Sequence, residues 1–297
     1  MNIVVLLCDG IFGQKPVYID HDVKLYEKNL YYVCNPSDLY AIDLAMNIKK
    51  EVEGTCITAI SIGNARAANL VKKSLLIGAD RGIWGDCRNV TLENSYDVGF
   101  ALANTIERHC QGFDLLLMGN SSQDFEFGIV GSTLAYRFGI NIFDNISYIE
   151  KIDHRICVEH GSITFHKIME KGDRLICESP TPLIISVSGI GKGVKGALLD
   201  DIVRNTQKKI EVVNVEDVLN APGVQENRKH ADITFQGYLE PRPRPKKIPV
   251  PDSSLNAMDR LKKITAGNMP GKATNIVEGE PERVAAEFVK CISMVGK

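Results

Sequence analysis

The chain has 297 residues, of which 44% are hydrophobic and 24% charged, with a formal net charge of -2 and a pI near 6.3. This composition is that of a globular protein with enough chain for one large α/β domain or two smaller ones. The near-neutral charge argues against a nucleic-acid or anionic-membrane surface. No run of eighteen apolar residues is present, which argues against membrane insertion, and we expect a cytoplasmic protein.

The N-terminal part predicts strands and helices in alternation. The apolar run 3–8 predicts the first, central strand of a parallel sheet, and a β-rich, hairpin-like excursion over 16–33 follows it. Asn35 is the expected cap of a helix that has Pro36 at its first position. The next strand, over 56–62, is also apolar, and further strands and helices follow at the same cadence.

This alternation predicts a doubly wound, mainly parallel α/β sheet with right-handed crossovers. Ligands of such sheets bind outside the carboxyl ends of the strands, at the point where the strand order reverses. The turns after Cys8, Ile62 and Met118 are therefore expected to meet at one pocket.

The stretch 113–138 is the strongest candidate site. Its apolar run 113–118 predicts a buried strand, and a polar loop over 119–124 leads to a helix that begins near Gly128. Gly128 and Gly131 leave the first helical turn without bulky side chains. The unpaired N–H groups of that turn then form a site for a phosphate.

Two acidic residues in the loop would repel a phosphate bound directly beside them. Asp124 and Glu126 are expected to bond a ribose hydroxyl or a backbone amide instead. The alternative interpretation is an ordinary strand-loop-helix turn that binds nothing.

The second half of the chain has a different pattern, with short β segments in place of alternating strands and helices. Short β segments at 146–149, 156–158, 162–168 and 183–187 predict antiparallel edge strands, followed by a helix and a strand between residues 198 and 215. We expect an α/β nucleotide-binding domain over residues 1–222. Residues 223–297 are expected to form a Pro-rich linker and a C-terminal arm whose last helix, starting at Pro281, clasps a partner.

Two further patterns bear on metal binding and on dinucleotide binding. The eight cysteines and six histidines are dispersed, so the sequence predicts no metal site. The segment Gly191-Lys-Gly193-Val-Lys-Gly196 matches the dinucleotide fingerprint G-x-G-x-x-G, but the Pro-rich chain after it cannot supply the remaining βαβ units of that fold. A surface loop is the alternative.

Four stretches together resemble the small (beta) subunit of electron transfer flavoproteins, including the nitrogen-fixation-associated and bifurcating relatives. They are NPSDLYAIDLAMNIKKE (35–51), AISIGNARAANLVKKSLLIGADRGI (59–83), FDLLLMGNSSQD…GIVGSTLAYRFGI (113–140) and PTPLIISVS (180–188). The most specific features are the N-P-x-D helix start, the S-x-G turn, the G-A-D-R-G segment and the acidic loop.

The resemblance implies a Rossmann-like fold of the adenine nucleotide alpha hydrolase type. It also implies bound AMP or a second FAD, and a heterodimer with an FAD-containing alpha subunit. Asn35 would contact the adenosine, and Asp124 would bond within the loop that begins at Gly119. The backbone lining the adenine would be that of Leu6, Ile62 and Gly63. The amides holding the phosphates would be those of Gly128, Ile129, Val130, Gly131 and Ser132.

The chain departs from the family pattern at the site. Cys8-Asp9-Gly10 replaces a basic run, which removes a cation from the pocket mouth, and the loop D-F-E-F-G-I-V-G lacks the Asn, Gln and Thr that would bind an AMP phosphate. Val130-Gly131 is closer to the bifurcating form and favours FAD over AMP, although an empty site is also compatible. Leu199 stands at the place of the family's partner-anchoring leucine.

The sequence thus predicts an electron-carrier subunit without bond-making chemistry of its own. NADH is the electron donor expected from the bifurcating relatives, and a flavin dehydrogenase or reductase is the expected partner beside the alpha subunit. Two alternatives stay open. One is a stand-alone adenine-nucleotide-binding regulatory α/β protein, and the other is an NAD-dependent enzyme that uses residues 191–196.

Overall fold

The computed structural model describes residues 1–12, 18, 30–90, 92, 94–122, 128–153, 161–188, 196–220, 255–260 and 284–286. The chain divides into two units, Met1–Glu240 and Pro241–Lys297. In the second unit, residues 257–260 and 284–286 are helical. The Pro-rich segment and most of the predicted terminal helix lie outside the described residues, so the boundary between residues 222 and 223 stays a prediction.

The first unit is built on one large sheet. In chain order the described strands are β1 (Asn2–Leu6), β2 (Asp9–Ile11), β3 (Tyr32–Cys34), β4 (Cys56–Gly63), β5 (Arg81–Asp86), β6 (Leu115–Gly119), β7 (Asn141–Asp153), β8 (Ser162–Ile168), β9 (Arg174–Pro180), β10 (Leu183–Val187) and β11 (Glu211–Asn214). Among the described residues, nine strands form this sheet in the order β11-β5-β4-β1-β6-β10-β7-β8-β9. All neighbours from β11 to β7 are parallel, which confirms the predicted α/β fold.

Helices cover both faces of this sheet. In chain order they are α1 (Pro36–Glu51), α2 (Ala65–Ile77), α3 (Ser95–His109), α4 (Ile129–Phe138), α5 (Leu199–Asn205) and α6 (Val215–Leu219). The side chain of Asn64 caps α2 by accepting from the N–H of Arg66, and α2 ends at Gly78, whose φ of 134° favours glycine. None of the described helices is long and apolar enough to cross a membrane.

The central strands are apolar because both of their faces are buried. In β1, Ile3 and Val5 pack with α1 and α2, whereas Val4 and Leu6 pack with α3 and α4. Successive side chains of a strand point to opposite faces, so a strand covered on both sides is mostly apolar. Because β1 pairs parallel with β4 and β6, the carboxyl ends of the three strands lie at one edge of the sheet.

One expectation about the sheet was wrong. The segment 183–187 was expected to be an antiparallel edge strand, but it forms β10, which lies between β6 and β7, runs parallel to both and is buried at every residue. Its continuous apolar run is the pattern of a central parallel strand. The predicted segment 146–149 is the middle of the long β7, and 156–158 lies outside the described residues.

The predicted segment 162–168 forms β8, which pairs antiparallel with β7, and β9, which the sequence pattern did not predict, extends the sheet further in the same manner. The other antiparallel pair is separate. β2, which precedes the excursion predicted over 16–33, pairs with β3 at the end of that excursion, and residues 13–17 and 19–29 lie outside the described residues. At the opposite edge of the large sheet, β11 pairs with β5 and leads into α6, a short helix that the sequence pattern did not predict.

Candidate functional site

A cleft opens at the carboxyl ends of β1, β4 and β6, and we call it the apolar cleft. Its floor consists of the side chains of Leu6, Leu7, Ile62, Val98, Leu102 and Met118. The turns that follow β1, β4 and β6 meet here, as the parallel topology predicted. An apolar floor at this edge suits a flat, mostly apolar ligand group such as a purine ring.

Most of the predicted site residues line the apolar cleft: Leu6, Asn35, Ile62, Gly119, Gly128, Ile129 and Val130. Gly131 and Ser132 line an adjoining cavity, the polar lobe, which shares Met118, Asn120, Ser121 and Gly128 with the cleft. The two cavities are therefore neighbours that share these residues in their walls.

The remaining predicted residues lie elsewhere. Gly63 is not among the described lining residues, and its carbonyl accepts a hydrogen bond from Nε1 of Trp84 at 3.0 Å, so it anchors β5. Leu199 begins α5, is 75% exposed and lines neither cavity. Asp124 lies outside the described residues, as does the G-x-G-x-x-G segment except for Gly196.

Asp38 is a buried acid of the cleft that our sequence analysis did not include in the site. Its Oδ2 accepts from the N–H of Cys8 at 2.8 Å, and its Oδ1 accepts from the N–H of Gly119 at 2.7 Å. Asp38 therefore joins the start of α1 to the ends of β1 and β6. A signal was present in the N-P-x-D pattern, but an acid in a first helical turn is also common for electrostatic reasons alone.

Burial controls the protonation of Asp38. Loss of solvation raises its pKa to about 6, against the opposing effect of the hydrogen bonds from Cys8, Gly119 and Asn35. At neutral pH the carboxyl group is ionised and accepts both N–H groups. Below pH 6 the group is mostly protonated, so one oxygen carries a hydrogen that can donate and becomes a weaker acceptor.

Asn35 has a different role from the one its helix-start position predicts. It occupies the cap position of α1, but its side chain makes no capping hydrogen bond. Nδ2 instead donates to the carbonyl of Ser121 at 2.9 Å. The backbone N–H of Asn35 donates to the carbonyl of Cys8 at 3.0 Å. Asn35 thus holds the loop after β6 against α1, and its position in the cleft lining agrees with the predicted location.

Gly119 lies where this network leaves no space for a side chain. A Cβ atom on Gly119 would be 2.5 Å from Oδ1 of Asp38 and 2.7 Å from Nδ2 of Asn35. The last residue of β6 must therefore be glycine for α1 to approach the strand this closely.

The start of α4 lies on the opposite side of the cleft and has no capping side chain among the described residues. Gly128 has a left-handed φ of 58° and provides no capping side chain. Ile129 and Val130 follow it and line the cleft. The first N–H groups of a helix have no partner within the helix and carry partial positive charge, so this start fits a phosphate.

Gly131 lines the polar lobe and also allows close packing of α4 on the sheet. A Cβ atom on it would be 2.7 Å from Cδ1 of Ile142 and 3.0 Å from Sδ of Met118. The glycine was predicted to let a ligand approach the backbone. The structure shows that it also lets α4 approach β6 and β7.

Charge is scarce around the apolar cleft. Among the described lining residues, none is lysine or arginine, and Asp38 is the one acid. Asp9, which follows β1, forms an ion pair with Arg66 at 2.6 Å, and that guanidinium lies 3.6 Å from the centroid of the Tyr32 ring. Within this described lining, a bound anion would thus depend on backbone N–H groups and neutral side chains.

Comparison with known proteins identifies the family. The electron transfer flavoprotein domain matches residues 23–218. The chain is 24% identical to protein FixA of Sinorhizobium fredii over 234 residues, which cover 76% of this chain and 78% of the relative. It is 26% identical to the electron transfer flavoprotein subunit beta of Thermoanaerobacterium thermosaccharolyticum over 187 residues, 63% of this chain and 67% of the relative.

A third relative is named as part of a larger complex. Subunit CarD of the caffeyl-CoA reductase-Etf complex of Acetobacterium woodii is 25% identical over 190 residues, which cover 64% of this chain and 69% of CarD. The matched family domain includes the parallel strands from β4 to β11 and the cleft lining from Asn35 onward, whereas β1 precedes it. The chain therefore belongs to the electron transfer flavoprotein family, among its beta-type subunits.

Proposed function

We propose that this chain binds an adenine nucleotide, FAD or AMP, in the apolar cleft and carries electrons together with an electron transfer flavoprotein alpha subunit. One observation carries the proposal: the uncapped start of α4 lies at the wall of an apolar cleft formed by the ends of parallel strands. The floor suits adenine, and the N–H groups after Gly128 suit the phosphates.

FAD is the nucleotide that we favour. The scarcity of cations in the described lining supports phosphate contacts made by backbone groups, which is the pattern that the Val130-Gly131 pair led us to expect. Bound FAD would supply the electron-transfer chemistry. The chain would bind and orient it, and the buried floor would exclude water from its adenine. NADH as donor and a flavin dehydrogenase or reductase as partner are part of this proposal.

Partner contacts are proposed at two places. On α5, Leu199 and Val203 are 75% and 67% exposed and lie one helical turn apart, so they form an apolar face that suits a partner protein. Residues 223–297 are proposed to form the linker and the arm that clasps the alpha subunit. The cytoplasm is the proposed location of the assembly.

The test is purification of the full chain with its natural partner, followed by an absorbance spectrum and nucleotide extraction. Two FAD per heterodimer are expected, and NADH should then reduce the flavin. One FAD with one AMP would support nucleotide binding and contradict the choice of FAD. A monomeric chain without flavin would refute the electron-transfer proposal and favour the stand-alone nucleotide-binding regulator.

A separate experiment tests α5. Leu199→Ser is expected to slow electron transfer to the partner dehydrogenase while the nucleotide content stays unchanged. Val212→Ser is the matched control, because Val212 is also an exposed apolar residue but lies on β11. Equal effects of the two changes would refute a specific role for α5.

A further inference from the structure

The polar lobe beside the apolar cleft is created by an irregularity in the sheet. Along β10, Ile185 pairs with Phe143 and Val187 pairs with Ile146, so two residues of β7, Asp144 and Asn145, lie opposite the single Ser186. This is a β-bulge, and the left-handed φ of 59° at Asn145 accompanies it. The three residues at the bulge, Asp144, Asn145 and Ser186, all line the lobe.

Ser186 is the side chain that indicates a ligand. It is 4% exposed, lines the lobe and has no hydrogen-bond partner among the described residues. It pairs in register with Met118, so both side chains lie on the same face of the sheet, beside the start of α4. Its hydroxyl lines the lobe without a described partner, so it can donate to or accept from a polar ligand group there.

The lobe is polar but carries little net charge. No lysine or arginine is among its described lining residues, and its one acid, Asp144, is paired with Lys167. Its neutral donors and acceptors include Ser132, Asn145 and Ser186. Such a wall suits the hydroxyl groups of a ligand, because neutral donors and acceptors can bond to them without a charged partner.

We infer that the polar lobe binds the hydroxylated second half of a dinucleotide, and that Ser186 is its specificity-determining residue. This inference rests on the proposed function. The adenosine would lie in the apolar cleft, and the phosphates would lie where the two cavities join, at Gly128 and the start of α4. AMP would end at this junction, whereas the ribityl chain of FAD or the second ribose of NAD would continue to Ser186.

The test measures the binding of FAD, NAD and AMP to the full chain purified with its partner and freed of nucleotide. Ser186→Ala removes only the hydroxyl and should weaken the dinucleotide about two- to tenfold. Ser186→Leu fills the lobe and should weaken it more than about tenfold by overpacking. AMP affinity should stay within about twofold of wild type in both variants, because AMP makes no contact with Ser186.

Ser188→Ala is the matched control. Ser188 lies two residues further along the same face, is 2% exposed and also has no partner for its hydroxyl, but it is not among the described residues of the lobe. It should change neither affinity. The dinucleotide, FAD or NAD, whose affinity falls in the Ser186 variants is the one that the lobe binds.

Two results would overturn the inference while leaving the proposed function intact. One is a wild-type chain that binds AMP but neither dinucleotide. The other is an equal loss of AMP and dinucleotide affinity in Ser186→Ala. A wild-type chain that binds none of the three nucleotides would refute the proposed function itself, so the two failures are distinguishable.

Discussion

The two walls of the apolar cleft use their polar groups differently. On the α1 wall, the carboxylate of Asp38, the amide of Asn35 and the N–H of Gly119 bond to one another or to the neighbouring loops. On the α4 wall, Gly128 provides no capping side chain to the helix start. In the adjoining polar lobe, Ser186 has no hydrogen-bond partner among the described residues. The first wall is a structural support, and we expect the second wall and the lobe to supply polar groups to a ligand.

This difference predicts separate consequences of mutation. Changes in the α1 wall should lower stability and distort the cleft together. Changes in the α4 wall should alter ligand binding with little effect on stability. Four experiments test this contrast, ordered from the largest expected effect to the smallest.

Gly119→Val should have the largest effect. Its added atoms would begin 2.5 Å from Oδ1 of Asp38 and would separate α1 from β6. We expect a loss of about 3 kcal/mol or more in the free energy of unfolding, measured by urea denaturation. Gly196→Ala is the control, since no atom of the described residues lies within 4 Å of its added Cβ atom. A Gly119→Val chain of wild-type stability would contradict the close approach of α1.

Asp38→Asn should remove a pH dependence of stability. The pKa of Asp38 is raised to about 6 in the folded chain, so between pH 4 and pH 6 the folded state binds a proton that the unfolded state has released. The contribution of Asp38 to stability therefore falls as pH rises through this range, by roughly 3 kcal/mol, and is constant above it. The free energy of unfolding of wild type minus that of Asp38→Asn should show this slope.

The control for this pH series is Asp43→Asn, a change on the same helix that lies outside the cleft lining. The difference between wild type and Asp43→Asn should not follow the slope assigned to Asp38. A flat difference for Asp38→Asn as well would contradict the raised pKa.

Ile129→Asp should separate stability from binding on the α4 wall. An acid in the first turn of α4 interacts favourably with the helix dipole, so relative to Ile129→Asn it should stabilise the chain by about 0.5 kcal/mol. The same charge would repel a phosphate bound there and should weaken AMP or FAD binding at least about tenfold. Urea denaturation of both variants checks the change in stability, and nucleotide titration checks the change in affinity. Equal nucleotide affinities in the two variants would place the phosphates elsewhere.

Arg66→Met should have the smallest effect. Arg66 pairs with Asp9 and stacks on Tyr32, but it is half exposed, so solvent screens the pair. We expect a loss below about 1 kcal/mol in the free energy of unfolding and unchanged nucleotide affinity. A larger loss would mean that the exposed contacts near the α1 wall contribute as much as the buried ones.

The elements themselves were largely predictable from the sequence. The apolar runs of β1, β4 and β6, the Asn-Pro start of α1 and the glycine that ends α2 are local signals, and they locate the cleft. The position of β10 was predicted wrongly although its apolar run was visible, because short antiparallel segments precede it along the chain. The order of strands in the sheet depends on which strands and helices pack against each other, and a short stretch of sequence does not contain that information.

The sequence by itself indicated the family, the parallel fold and a set of site residues most of which line the apolar cleft. It did so because hydrophobic period, helix caps and glycine positions act over a few residues. Tertiary structure alone decided that Asp38 is buried between two strand ends, that Gly131 packs against β6 and β7, and that a bulge opposite Ser186 opens the polar lobe. Each of these facts depends on segments distant in sequence, whose approach is set by the packing of the whole sheet.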